Sequence, residues 1–169
     1  MTTTHFTTEH IVVPSNQSYD QVIQALEAQL GQGQEIGTII QHLYQTHASW
    51  EQVTQSIEPL AGSSGFMIVS TIDDSVLLAL AGKSTMARLY ILGNPLIAIQ
   101  MMQYVPEVAL YVPLRLVVHQ DEERRVFVSY DQPSSVLGFY QHESIARVSA
   151  LLDQKMTALV DRAVQEQKQ

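Results

Sequence analysis

The 169-residue chain has no cysteine, one tryptophan and only nine lysines and arginines against 17 aspartates and glutamates, for a formal net charge of −8. Without cysteine there is no disulfide framework, thiolate metal site, catalytic thiol or cysteine-ligated iron–sulfur cluster. So few positive charges argue against a nucleic acid or an anionic membrane as partner, because neutralising phosphates needs clustered Lys and Arg. The longest apolar runs, Val76 to Ala81 and Leu89 to Leu92, fall short of the roughly 18 residues of a membrane span. The first ten residues carry neither the basic nor the apolar segment of a leader peptide. The expectation is a cytoplasmic protein with no nucleic-acid and no membrane partner.

What is present is apolar material, 46% of the residues. A chain of this length buries roughly 70% of its unfolded surface, so one domain with its own core is expected. Phe6 to Val13 is rich in β-branched residues and stops at Pro14, which predicts a first strand. Ser18 with Gln21 forms a capping box ahead of Tyr19, Ile23, Leu26 and Leu30, a helix closed by a turn at Gly31. Ile36, Leu43, Trp50 and Ile57 recur every seven residues, but the beat breaks at Thr46–Ser49, where Ser49 and Gln52 form a second capping box. Two short helices in a hairpin are predicted there.

Strands are predicted at Phe66–Ile72, Ser75–Ala81 and Ala87–Leu92. Asn94 as N-cap and Pro95 as first helical residue start a helix that reaches about Gln103. Leu114–Gln120 and Arg125–Asp131 read as a hairpin around Asp121–Arg124, Pro133–Ser135 as a turn, and Ile145 to Ala163 as an amphipathic helix. The fold class is α+β, helices on a mainly antiparallel sheet in the order β-α-(αα insert)-βββ-α-ββ-α, one domain over 1–169 with residues 32–64 as the helical insert.

Familiar chemical motifs fail on spacing. Gly82-Lys83-Ser84 ends like a phosphate-binding loop, but Leu77 stands where the first glycine is required. Gly31 and Gly33 follow a helix rather than a strand, and Ile36 replaces the third glycine of a dinucleotide fingerprint. A nucleophile elbow at Ser64 would need glycine in place of Phe66. His42 and His47 diverge on a helix, and His5 and His10 on a strand, so no metal ligand set is assigned. The sequence leaves any cofactor unknown.

Four stretches in order carry a resemblance: Phe66–Asp73, Tyr90–Pro95 with its Gly-Asn-Pro turn, Tyr111–Val118, and Val126–Ser135. Together they resemble the DUF302 family of small bacterial proteins of unknown function, with its TT1751-like fold. The resemblance covers Thr8 to Leu30 and Phe66 to Arg162 and implies an α+β domain, often a dimer, with no reaction to carry over.

The residues themselves suggest one site. The N-terminus of the helix at Pro95, with Asn94, offers donors to a small anion. Arg115, His119 and Tyr130 are read as lining the sheet face opposite Leu116 near that turn, with Lys83 or Arg88 as a further charge and Asp73 as a proton carrier. Plainer readings stand beside these: Asn94 as a cap alone, Arg115 paired with Asp131, and Tyr130 completing the core. The expected function is a non-enzymatic homodimer that binds a small anionic or amphipathic molecule; the alternative is an acid–base isomerase or lyase for a small carbonyl or carboxylic compound. The Trp50 hairpin is read as packing on its own domain, with a subunit interface as the alternative.

Overall fold

The computed structural model describes residues 1–165. Its sheet has six strands, β1 (His10–Ser15), β2 (Gly31–Gln32), β3 (Met67–Asp73), β4 (Ala87–Gly93), β5 (Leu114–Gln120) and β6 (Val126–Asp131), in the spatial order β1-β6-β5-β4-β3-β2. All neighbours are antiparallel except β2 and β3. The helices are α1 (Tyr19–Glu27), α2 (Ile36–Gln45), α3 (Trp50–Ile57), α4 (Ser75–Leu80), α5 (Pro95–Met102), α6 (Pro133–Leu137) and α7 (Glu143–Val164). Among the described residues no helix is long and apolar enough to cross a membrane.

Local signals set most helix starts. Ser18 and Ser49 each accept from the backbone three residues on, while Gln21 and Gln52 reach back to the cap nitrogen, so both capping boxes form. The α2–α3 hairpin forms as predicted. The amphipathic α7 packs against α1, and both cover one face of the sheet. There Val22, Leu26, Leu152 and Met156 meet Tyr90, Leu92, Leu116 and Val128 in the main core. A smaller core, Ile36, Ile57 and Met67 with Val53, Leu60 and Leu96 against it, holds the hairpin to its own domain.

Several expectations are corrected. Ser75–Leu80 is helix α4, not a strand: Asp73 Oδ1 accepts from the Ser75 backbone at 3.0 Å, and Leu and Ala favour helix over strand. The first strand starts at His10 and runs through Pro14 to Ser15. Because β1 is an edge strand, Pro14 fits without breaking the ladder. Phe6 instead stacks on Phe139 at 4.6 Å. Gly31 and Gln32 pair with β3 rather than only turning, and Pro133–Leu137 is a short helix.

The second sheet face is unusually apolar. Register places Ile72, Leu89, Val117, Ser129 and Val12 in one row across five strands. Ile72 and Val12 are 46% and 49% exposed.

Candidate functional site

The site is built where β4 ends. Gly93 closes the strand, and Asn94 turns the chain into α5: its Oδ1 accepts from the Leu96 backbone at 2.9 Å, and its Nδ2 donates to the Gly65 carbonyl at 3.0 Å. The helix that follows, Pro-Leu-Ile-Ala-Ile-Gln-Met-Met, is apolar nearly all round. Such a helix needs cover on several sides. One side, with Ile97, Met101 and Met102, packs on the main core, and Leu96 packs on the smaller one.

Between α5, the α2–α3 hairpin and the ends of β3 to β5 lies a cavity of ≈ 440 Å³. Trp50, Val53 and Ile40 of the hairpin wall one side, Ala98 and Ile99 the other, and Leu152 of α7 also lines it. The volume falls within the range of small-molecule sites, about 300–1,000 Å³. Apart from the indole N–H of Trp50, Asn94 is the one lining residue with a polar side chain, and both of its amide atoms already have partners. The lining contains no charged residue. An ionised group buried there would lack a partner, at a large desolvation cost.

The other expected site residues do not gather at this cavity. Arg115 is exposed on the second sheet face, beside Ile91. His119 shares that face: its Nε2 lies 2.9 Å from the Ser129 hydroxyl, and its ring stacks on Phe127 at 5.5 Å. Burial holds its pKa below the ordinary histidine value, against the opposing pull of Asp121. Tyr130 is on the other side of the sheet. It pairs in register with Leu116 and lines a separate cavity of ≈ 250 Å³ near Gln132, Asp153 and Asp161. The hairpin register, with Gln120 opposite Val126, fixes this and overturns the expected grouping of Tyr130 with Arg115 and His119. Lys83 lies 3.5 Å from Glu122, with both side chains largely exposed.

Asp73 belongs to a third place. Arg88 reaches it at 2.8 Å and Glu27 at 3.5 Å, while the Tyr90 hydroxyl donates to Glu27 at 2.7 Å. Hydrogen bonding to Ser75, then the Arg88 guanidinium, hold the Asp73 carboxyl at about 2. Burial and the Glu27 carboxylate push the Tyr90 hydroxyl well above its usual range. The proton-transfer set of the acid–base reading is therefore divided among three locations. Sequence reasoning found Asn94 but not the cavity walls. The signal was present: an α5 apolar nearly all round and an apolar hairpin stripe.

A family model described as a domain of unknown function, DUF302, matches residues 41–163. The chain is also similar to the crystal structure of an uncharacterized conserved DUF302 protein from Bacillus stearothermophilus, with 18% identity, a TM-score of 0.63, and coverage of 91% of this chain and 97% of that one. That likeness is one of fold. No curated protein matches the chain.

Proposed function

The chain belongs to the DUF302 family, a domain family of unknown function, and from that footing we propose that it is a non-enzymatic homodimer binding a small amphipathic molecule between α5 and the α2–α3 hairpin. The observation that carries the binding reading is the ≈ 440 Å³ cavity with its uncharged, apolar walls. Of the anionic and amphipathic ligand classes, the walls favour an apolar body whose polar end stays at the mouth. The dimer half is supported by the apolar side chains of the second sheet face, of which Ile72 and Val12 are about half exposed.

Trp50 is the chain's one tryptophan, lines the cavity and is 60% exposed. Titration with the uncharged probe N-phenyl-1-naphthylamine is expected to quench Trp50 emission saturably by energy transfer. Filling the cavity with Ala98→Phe is expected to weaken that binding at least tenfold, while Arg115→Ala leaves it unchanged. A non-saturable signal, or equal binding by wild type and Ala98→Phe, would overturn the reading.

A further inference from the structure

The second sheet face is apolar where an antiparallel sheet open to water normally alternates to polar residues. Its middle row is Ile72, Leu89, Val117, Ser129 and Val12. Ser129 is 4% exposed, and its hydroxyl is already satisfied by His119, so covering the row strands no polar group. The row on one side of it contains Ile91 and Arg115, and on the neighbouring strands Asp131 and His10. Among the described residues Arg115 makes no ion pair, although Asp131 lies on the next strand; Asp131 is held by His10 Nδ1 at 2.8 Å. The face thus carries one unpaired cation and one acid reached only by an exposed histidine.

We propose that a second copy of this chain covers this face, sheet against sheet, about a two-fold axis running along the seam between β5 and β6, so that Arg115 of each copy meets Asp131 of the other. The proposal rests on the homodimer reading above. A two-fold axis on that seam exchanges β5 with β6 and β4 with β1. It sets Arg115 over Asp131 twice, Val117 over Ser129, and Leu89 over Val12, which makes the face complementary to itself as an isologous contact requires. Stacked sheets align within about 30° and fill the gap with such side chains. The four strands that overlap about this axis, at about 4.8 Å, and six residues at about 3.4 Å span roughly 19 by 20 Å, about half of the roughly 800 Å² per partner of a standard interface. An anionic surface would need more than one unpaired arginine, and a chain with a net charge of −8 is repelled by it.

Sedimentation velocity on Arg115→Asp, Asp131→Arg and their equimolar mixture tests the axis. Both side chains are exposed in the single copy, so circular dichroism is expected to be unchanged. Wild type is expected to be a dimer at micromolar concentration. Each single variant sets like charges over each other twice and is expected to dissociate at least tenfold more readily. In the mixture one copy carries two acids and the other two arginines, so the heterodimer regains both pairs and is expected near wild-type affinity. A monomeric wild type would remove the homodimer reading itself. A dimeric wild type whose single variants stay equally tight, or whose mixture does not recover, would overturn this face or this axis and leave the homodimer standing.

Discussion

Gly31 and Gly62 donate their backbone N–H groups to the same carbonyl oxygen, that of Phe66, each at 2.9 Å. The chain leaves for the α2–α3 hairpin at the first glycine and returns at the second. One acceptor therefore closes the loop that carries Ile36, Ile40, Trp50, Val53 and Ile57 into the cavity wall. The backbones approach so closely that a Cβ on Gly31 would run into the Leu60 carbonyl, and one on Gly62 into the Gln29 carbonyl.

Gly62→Ala is accordingly expected to lower unfolding free energy by about 1–3 kcal/mol, the usual cost of overpacking, and to weaken probe binding at Trp50. Gly37→Ala, on the exposed side of α2 where an added Cβ meets nothing, is expected to stabilise by up to about 1 kcal/mol through helix propensity. Urea unfolding curves of the two variants should move in opposite directions.

The Asp73–Arg88 pair predicts an acid limb of stability. Asp73 has its carboxyl lowered from 3.8 to about 2, by Ser75 first and Arg88 second. An acid whose pKa is depressed by folding stabilises the native state above its unfolded value, and that contribution is lost as pH falls. The window runs from about pH 4 down to about pH 2. Because the side chain is 41% exposed, solvent screening keeps the effect modest. Asp73→Asn is expected to flatten the melting temperature across that window; an unchanged slope would remove Asp73 as its source.

The elements that could be read from sequence are those whose cause is local. The capping boxes at Ser18 and Ser49, the Asn94–Pro95 start and the apolar stripe of α7 each sit within a few residues of the structure they specify. Val76 to Leu80 was ambiguous because a short apolar run suits a buried strand or a helix equally. The two-residue β2 carries no pattern at all and exists because Gly31 can approach Phe66. The alternating faces of β5 and β6 were also legible strand by strand. Which face of one matches which face of the other depends on register across the Asp121–Arg124 turn, and that choice moved Tyr130 away from Arg115. The cavity was least legible, because the α2–α3 hairpin, the ends of β3 to β5, α5 and α7, distant in the chain, all contribute to its walls.

His119, on the second sheet face, adds a second titration. Burial lowers its pKa, with His10 adding to the effect and Asp121 opposing it. A histidine depressed by folding contributes stability that is complete above its unfolded value, near 6.5, and declines as pH falls through and below that value. His119→Gln, which can still bond the Ser129 hydroxyl, is expected to lose less melting temperature than wild type between pH 7.5 and 5.5. Parallel curves at one protein concentration would exclude His119 as the group responsible.

Asn94 joins two roles that substitution can separate. Its Oδ1 caps α5 at Leu96, while its Nδ2 ties that helix start to the Gly65 carbonyl beside the cavity. Serine keeps a cap and loses the tie, so Asn94→Ser is expected to cost about 0.5–1.5 kcal/mol, the net worth of one hydrogen bond. Alanine loses both, and Asn94→Ala is expected to cost about 1 kcal/mol more. Aspartate is the deciding case. As a cap alone it should equal asparagine or exceed it, because its charge suits the helix N-terminus. With the tie, Asn94→Asp directs a carboxylate at the Gly65 carbonyl with no proton to offer. It is then expected to be less stable than the serine variant at pH 7 and to recover as the carboxylate is protonated in acid. Denaturant midpoints of the three variants at pH 7 and pH 4 distinguish the cases: an aspartate variant as stable as wild type at pH 7 would reduce Asn94 to a cap.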